Sequence, residues 1–135
     1  MRKIVYFPVY GKASAGNGYL NLEQEIYKMP ILDEDFPNDC FFVKIEGNSM
    51  EPTIVEGEFA LVDPNDTAYQ KNKIYVVTYD DESFIKRIVI DENTRIVILK
   101  SDNTDYDDIL ISEEKQEYLK INGRVIKIVS TRKPL

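Results

Sequence analysis

Ser49 and Lys86 are the two residues whose types and surroundings could do chemistry together. Ser49 sits in the turn Gly47-Asn48-Ser49-Met50, between two apolar, strand-like stretches. A serine hydroxyl is a weak nucleophile until a neighbouring base takes its proton. The chain has no histidine, so the usual base is missing. Lysine is the best remaining one, provided that it is neutral. Free lysine has a pKa of ~10.4, and burial can lower that by several units. Lys86 lies in Ser83-Phe84-Ile85-Lys86-Arg87-Ile88-Val89-Ile90. Strand alternation puts it on the apolar face of Phe84, Ile88 and Ile90, with Arg87 pointing the other way. Each residue also has a plainer reading: a strand lysine often snorkels to solvent, and a serine in a turn often only caps it.

Composition narrows the alternatives. The 135 residues are 43% hydrophobic and 30% charged, which suits one globular domain with a real core. The net charge is −7, and no Lys/Arg cluster exceeds two adjacent residues. A nucleic-acid binder usually carries a basic face, so DNA contact is expected only through a segment outside this sequence. No apolar run approaches the ~20 residues of a membrane span, and the N-terminus does not read as a signal peptide. A soluble, cytoplasmic protein is expected. One cysteine, Cys40, permits no internal disulfide and reads as a buried small hydrophobe. Neither a metal nor a cofactor is expected.

The elements that must hold Ser49 and Lys86 follow a period of two. Strands are expected at Lys3–Tyr10, Cys40–Glu46, Glu58–Asp63, Lys73–Tyr79, Ser83–Ile90, Arg95–Lys100, Ile109–Ile111 and Arg124–Thr131. Turns are expected at 63–66, 80–82, 91–93 and Asn122-Gly123. Short helices are expected near Leu20–Tyr27 and Ser112–Glu117. The fold class is mostly β, a compact folded sheet or barrel-like domain. Gly11–Gly18, GKASAGNG, reads as an accessible linker of small residues. Residues 1–18 are therefore read as an arm and linker, and 19–135 as the main domain.

Several stretches together resemble the LexA-type self-cleaving serine peptidases. They are Gly47-Asn48-Ser49-Met50, Gly57-Glu58, Phe59-Ala60-Leu61-Val62, Phe84-Ile85-Lys86-Arg87-Ile88 and Leu99-Lys100-Ser101-Asp102-Asn103, with Ala15-Gly16 upstream. The resemblance spans about Pro8 to Val129. The family includes LexA, phage CI-type repressors and UmuD polymerase-accessory proteins. The resemblance implies Ser49 as nucleophile, Lys86 as general base, and the backbone N–H groups of Asn48 and Ser49 as oxyanion hole. It implies that the scissile bond is Ala15–Gly16, that Met50 packs beneath the turn, and that the protein is a homodimer. The family's partner is the RecA–single-stranded-DNA filament, formed in the response to DNA damage.

Two features depart from the family pattern. LexA-type members often carry a hydroxyl residue two before the lysine, where this chain has Phe84. Ser83, adjacent, should point to the other face. Only 15 residues precede the cut, too few for a helix-turn-helix domain. The chain is thus expected to be the C-terminal part of a CI-like repressor, with a UmuD-like protein as the alternative. A non-cleaving dimerisation module is the non-enzymatic rival. Ser101-Asp102-Asn103 imitates a β-lactamase motif, but neither Ser-x-x-Lys at Ser49 nor Lys-Thr-Gly is present, so it reads as a turn near the site. Signal peptidase shares Ser-Lys chemistry but requires a membrane anchor. A carboxylate-pair glycosidase fails because the acidic residues cluster in turns.

Overall fold

The computed structural model describes residues 2–11 and 25–130. Ala15, Gly16 and most of the expected linker lie outside the described residues. The described strands are β1 (Ile4–Tyr10), β2 (Tyr27–Leu32), β3 (Phe41–Lys44), β4 (Phe59–Asp63), β5 (Ile74–Tyr79), β6 (Glu82–Asp91), β7 (Ile96–Lys100), β8 (Ile109–Ile111) and β9 (Leu119–Val129). They form one sheet in the order β2-β1-β3-β4-β9-β5-β6-β7-β8. The mostly-β expectation holds.

Two strand expectations change. Tyr27, expected in a helix, opens β2, which pairs antiparallel with β1. Pro30 disguises this strand, yet an edge strand tolerates proline because one side needs no ladder donors. The second expected helix is a 3-10 helix at Glu113–Tyr118. The last strand begins at Leu119 instead of Arg124 and runs through Asn122-Gly123, which had read as a turn. β1, from the expected arm, is part of the sheet and pairs in parallel with β3 through Val9–Phe42 and Tyr10–Val43.

β9 joins the two halves of the sheet. Its first half pairs with β5 and its second with β4, and the register shifts in both pairings. Gly123 marks the changeover. A Cβ there would lie 2.5 Å from Asp63 O and 2.8 Å from Val62 Cγ1. Only a residue without a side chain lets the strands approach so closely.

Three apolar clusters fill the faces. Phe7, Val9, Phe42, Phe59 and Leu61 pack over the β1–β4 half. Tyr75, Phe84, Ile88, Leu99 and Ile111 pack over the β5–β8 half. The third cluster, with Val43, Ile45, Ala60, Val62, Val76 and Ile85, also takes Met50 and Ile54 from the β3–β4 connection. Met50 and Ile54 are 1% and 0% exposed. Burying a side chain of this size contributes about 1.5–3 kcal/mol, so these two pin the loop that carries Ser49.

Gly123→Ala is expected to destabilise the protein by about 2–3 kcal/mol or more, because backbone at 2.5 Å cannot yield as a side chain can. Gly47→Ala is expected to cost only about 1 kcal/mol. Its φ of +84° strains a Cβ, but nothing lies within 4 Å of it. Urea unfolding midpoints of the two variants check this ordering.

Candidate functional site

Lys86 lies inside β6, where Ser83, Phe84, Ile85 and Lys86 are all buried. The two faces of β6 feed different clusters: Phe84 and Ile88 on the lysine's side, Ile85 on the other. Both faces are therefore covered, where alternation alone had suggested one apolar face. Lys86 is 4% exposed. Its Nζ lies 5.9 Å from the Phe84 ring centroid and 5.8 Å from that of Tyr106.

The amine donates a hydrogen bond of 2.7 Å to Ser101 Oγ. The β6–β7 register explains the meeting. Arg87 pairs with Lys100 and Ile88 with Leu99, so the same ladder extended by one residue sets Lys86 opposite Ser101. Burial pushes the Lys86 pKa down to about 8, against a smaller upward pull from Asp108. A hydroxyl partner leaves burial dominant, whereas a paired carboxylate would have held the ammonium form.

The carboxylate next to Ser101 in the chain, Asp102, is paired elsewhere. Arg87 Nε donates to Asp102 Oδ1 at 2.7 Å and Nη2 to Oδ2 at 2.9 Å, a two-point fork. That hydrogen bond raises the arginine's pKa. Burial pushes the Asp102 carboxyl up, but hydrogen bonds from Arg87 and Thr53 outweigh it and hold the group below its usual range.

Ser49 is partly exposed, on the loop after β3. Met50 is buried beneath the turn, as expected. The loop is tied to the segment after β7. Asn103 N donates to Ser49 O at 3.0 Å, and Asn103 Nδ2 to Asn48 O at 2.9 Å. Tyr106 Oη donates to Asn48 Oδ1 at 2.6 Å, and Thr53 Oγ1 donates to Asp102 Oδ2. Asn48 O also accepts from Glu51 N at 3.2 Å. Residues 101–106 thus hold Lys86 through Ser101 and hold the Ser49 loop through Asn103 and Tyr106. The hydroxyl that bonds the amine in this structure is that of Ser101.

Ser83 is occupied elsewhere. Its Oγ shares a 2.9 Å hydrogen bond with Thr78 Oγ1, which also accepts from Asn122 Nδ2. Phe84, where the resemblance favours a hydroxyl, instead adds to the dryness around the amine. Ser101 and Asn103 belong to the stretch that reads in the sequence as a turn near the site, without a stated partner, and Tyr106 carries no local signal. The hairpin register reveals the partner of Ser101. Cys40 is buried, and burial first, then Asp63 and Asp39, push its pKa up to about 11. Its thiol therefore stays protonated, as a buried small hydrophobe does. Among the described residues, no group of three or more His, Cys, Asp or Glu could hold a metal ion. No helix among them is long and apolar enough to cross a membrane.

Comparison with known proteins points the same way. Residues 8–126 match the family described as Peptidase S24-like. The chain is 28% identical over 115 residues to a LexA repressor of Clostridium perfringens (strain 13 / Type A), covering 83% of this chain and 55% of that protein. It is 27% identical over 130 residues to a LexA repressor of Clostridium botulinum (strain Langeland), covering 94% of this chain and 61% of that protein. The chain therefore spans little more than half the length of these relatives.

The lowered pKa of Lys86 has a consequence for stability. Between about 8, its folded value, and ~10.4, that of a free lysine, the unfolded chain binds more protons than the folded one. Stability attributable to this group should therefore rise with pH across that window. In a Ser49→Ala background, Lys86→Met is expected to lose this contribution over the same window. The stability of the lysine chain relative to the methionine chain should grow by at most about 3 kcal/mol from pH 8 to 10.4. Urea unfolding of both chains at a series of pH values reads the difference, in which the other titrating groups cancel.

Proposed function

The chain belongs to the Peptidase S24-like family, and from that premise we propose that it is the self-cleaving and dimerising C-terminal part of a LexA- or CI-like transcriptional repressor. In this reading Ser49 and Lys86 form a catalytic dyad and the substrate is the chain's own Ala15–Gly16 bond. The carrying observation is a buried lysine with a pKa near 8, joined through residues 101–106 to the loop that bears Ser49.

Neutral Lys86 takes the Ser49 Oγ proton as Oγ bonds to the Ala15 carbonyl carbon. The oxyanion is held by the N–H groups of Asn48 and Ser49. The Asn48 carbonyl shares a peptide plane with the Ser49 N–H. Its bonds to Asn103 Nδ2 and Glu51 N fix that plane, and with it the direction of the donor. Collapse breaks the Ala15–Gly16 C–N bond, and the Lys86 proton goes to the Gly16 amine. Water then attacks the acyl-serine and gives a proton to Lys86. The Ser49–Ala15 bond breaks, and Ser49 regains its hydroxyl proton from the lysine.

Delivery of the bond in cis is supported by β1. The strand ends at Tyr10, and Gly11 lies against Val43 and Lys44, shortly before the Ser49 loop. Ala15 is four residues beyond Gly11, within about 14 Å of chain reach. Cleavage there would separate a DNA-binding segment, absent from this sequence, from the dimerising domain, and the avidity of paired half-site binding would be lost. Homodimerisation, activation by a RecA–single-stranded-DNA filament and a role in the DNA-damage response belong to the same proposal, on family resemblance.

Purified chain incubated between pH 6 and 10 is expected to yield two fragments by mass spectrometry, split after Ala15. The rate should climb about tenfold per pH unit at low pH and level off above about 8, following the neutral amine. Ser49→Ala and Lys86→Ala should each lower it at least about 100-fold. A parent chain that stays intact over days at pH 10 would leave only the dimerisation module.

A further inference from the structure

We propose that Ser101 is a positioning residue for the Lys86 amine, holding Nζ in place, restricting the direction of its lone pair and raising its proton affinity. The inference rests on the dyad reading above only for its effect on cleavage. The contact itself is a 2.7 Å hydrogen bond between two buried side chains, Lys86 at 4% and Ser101 at 9% exposure.

A neutral lysine amine has two N–H donors and one lone pair. In an apolar pocket, rotation about the last bonds of the side chain would scatter that lone pair over several directions. One N–H given to Ser101 holds Nζ in place and leaves the lone pair two of the three staggered directions. The lone pair can then meet another hydroxyl. Ser101 is itself fixed. It follows β7 directly in the ladder, and its neighbours Asp102 and Asn103 are bound to Arg87, Thr53, Asn48 and Ser49.

Other neighbours do not supply this restraint. Tyr75, the cross-strand partner on β5, commits its hydroxyl to Ala68 O and Gln70 N at 2.9 Å each. Phe84 on β6 and Tyr106 offer ring faces. Asp108 acts on the amine through its charge, against the larger effect of burial. Arg87, Lys100 and Asp102 flank the pair, with Arg87 and Asp102 bound to each other. Ser101 Oγ accepts more strongly from an ammonium than from a neutral amine, so its loss disfavours the charged form.

The test measures two quantities in Ser101→Ala and Ser101→Thr. One is the self-cleavage rate against pH. The other is the Lys86 titration by NMR of ¹³Cε-labelled lysine in the Ser49→Ala background, with Lys86→Arg to assign the signal. In Ser101→Ala the plateau rate should fall about tenfold or more, while the rate and NMR midpoints move to lower pH by about half a unit or more. Ser101→Thr should restore both. An unmoved midpoint overturns the proposal even if the rate falls, since loosened packing alone would do that. A moved midpoint with an unchanged plateau overturns it too. If the parent chain never cleaves, the dyad reading fails, and the NMR midpoint alone decides whether Ser101 governs the amine.

Discussion

A buried amine bonded to a hydroxyl is the constraint on which the site depends. Taking an ammonium out of water is costly, and a protein normally repays that with a carboxylate. Here β6 sends two adjacent cations to opposite sides. Arg87 takes Asp102 in a fork, and among the described residues Lys86 meets Ser101 at bonding distance. The division is chemical as well as geometric. A guanidinium stays charged in any setting and suits a two-point carboxylate bond, whereas an ammonium gives up its proton when dried. Exchanging the two partners would raise the lysine's pKa and remove its capacity to act as a base near neutral pH.

One short segment organises the rest. Residues 101–106 leave β7 and in six positions contact β6 twice and the Ser49 loop through Asn48, Ser49 and Thr53. The loop is otherwise anchored from below by Met50 and Ile54 in the cluster that also receives Ile85 of β6. Apolar burial sets the height of the loop and polar contacts set its bearing. Such a division is economical because the hydrogen bonds are modest individually but directional, while the burial is strong and without direction.

The sequence made most strands legible because alternation of Val, Ile, Tyr and Phe reports half-buried ladders directly. It failed where backbone sterics in the folded state override local chemistry. Pro30 hid β2, since nothing local tells that Tyr27–Leu32 will lie at an edge. Asn122-Gly123 looked like a turn, yet Gly123 is required inside β9 by the approach of Asp63 O. Ser49 and Lys86 could be singled out as candidates because a chain without histidine leaves few ways to activate a hydroxyl. Ser101 read only as part of a turn near the site, because its bond to Lys86 follows from the β6–β7 register, which depends on the number of residues the 91–96 turn spends. Asn103 and Tyr106 reach residues 48 and 49, more than fifty positions away, and no periodicity carries that.

Under the proposed chemistry, two populations restrain cleavage. With a pKa near 8, about one amine in ten is neutral at pH 7. The second factor is the fraction of chains whose Ala15–Gly16 segment lies against Ser49, which scales the rate in the same way. The two are not independent. A docked segment displaces water from around Lys86 and so lowers its pKa further. By linkage, deprotonating Lys86 must then favour docking to the same degree. Raising pH and binding a partner that prefers the docked segment therefore act on one coupled equilibrium, and each should do less when the other is already in force.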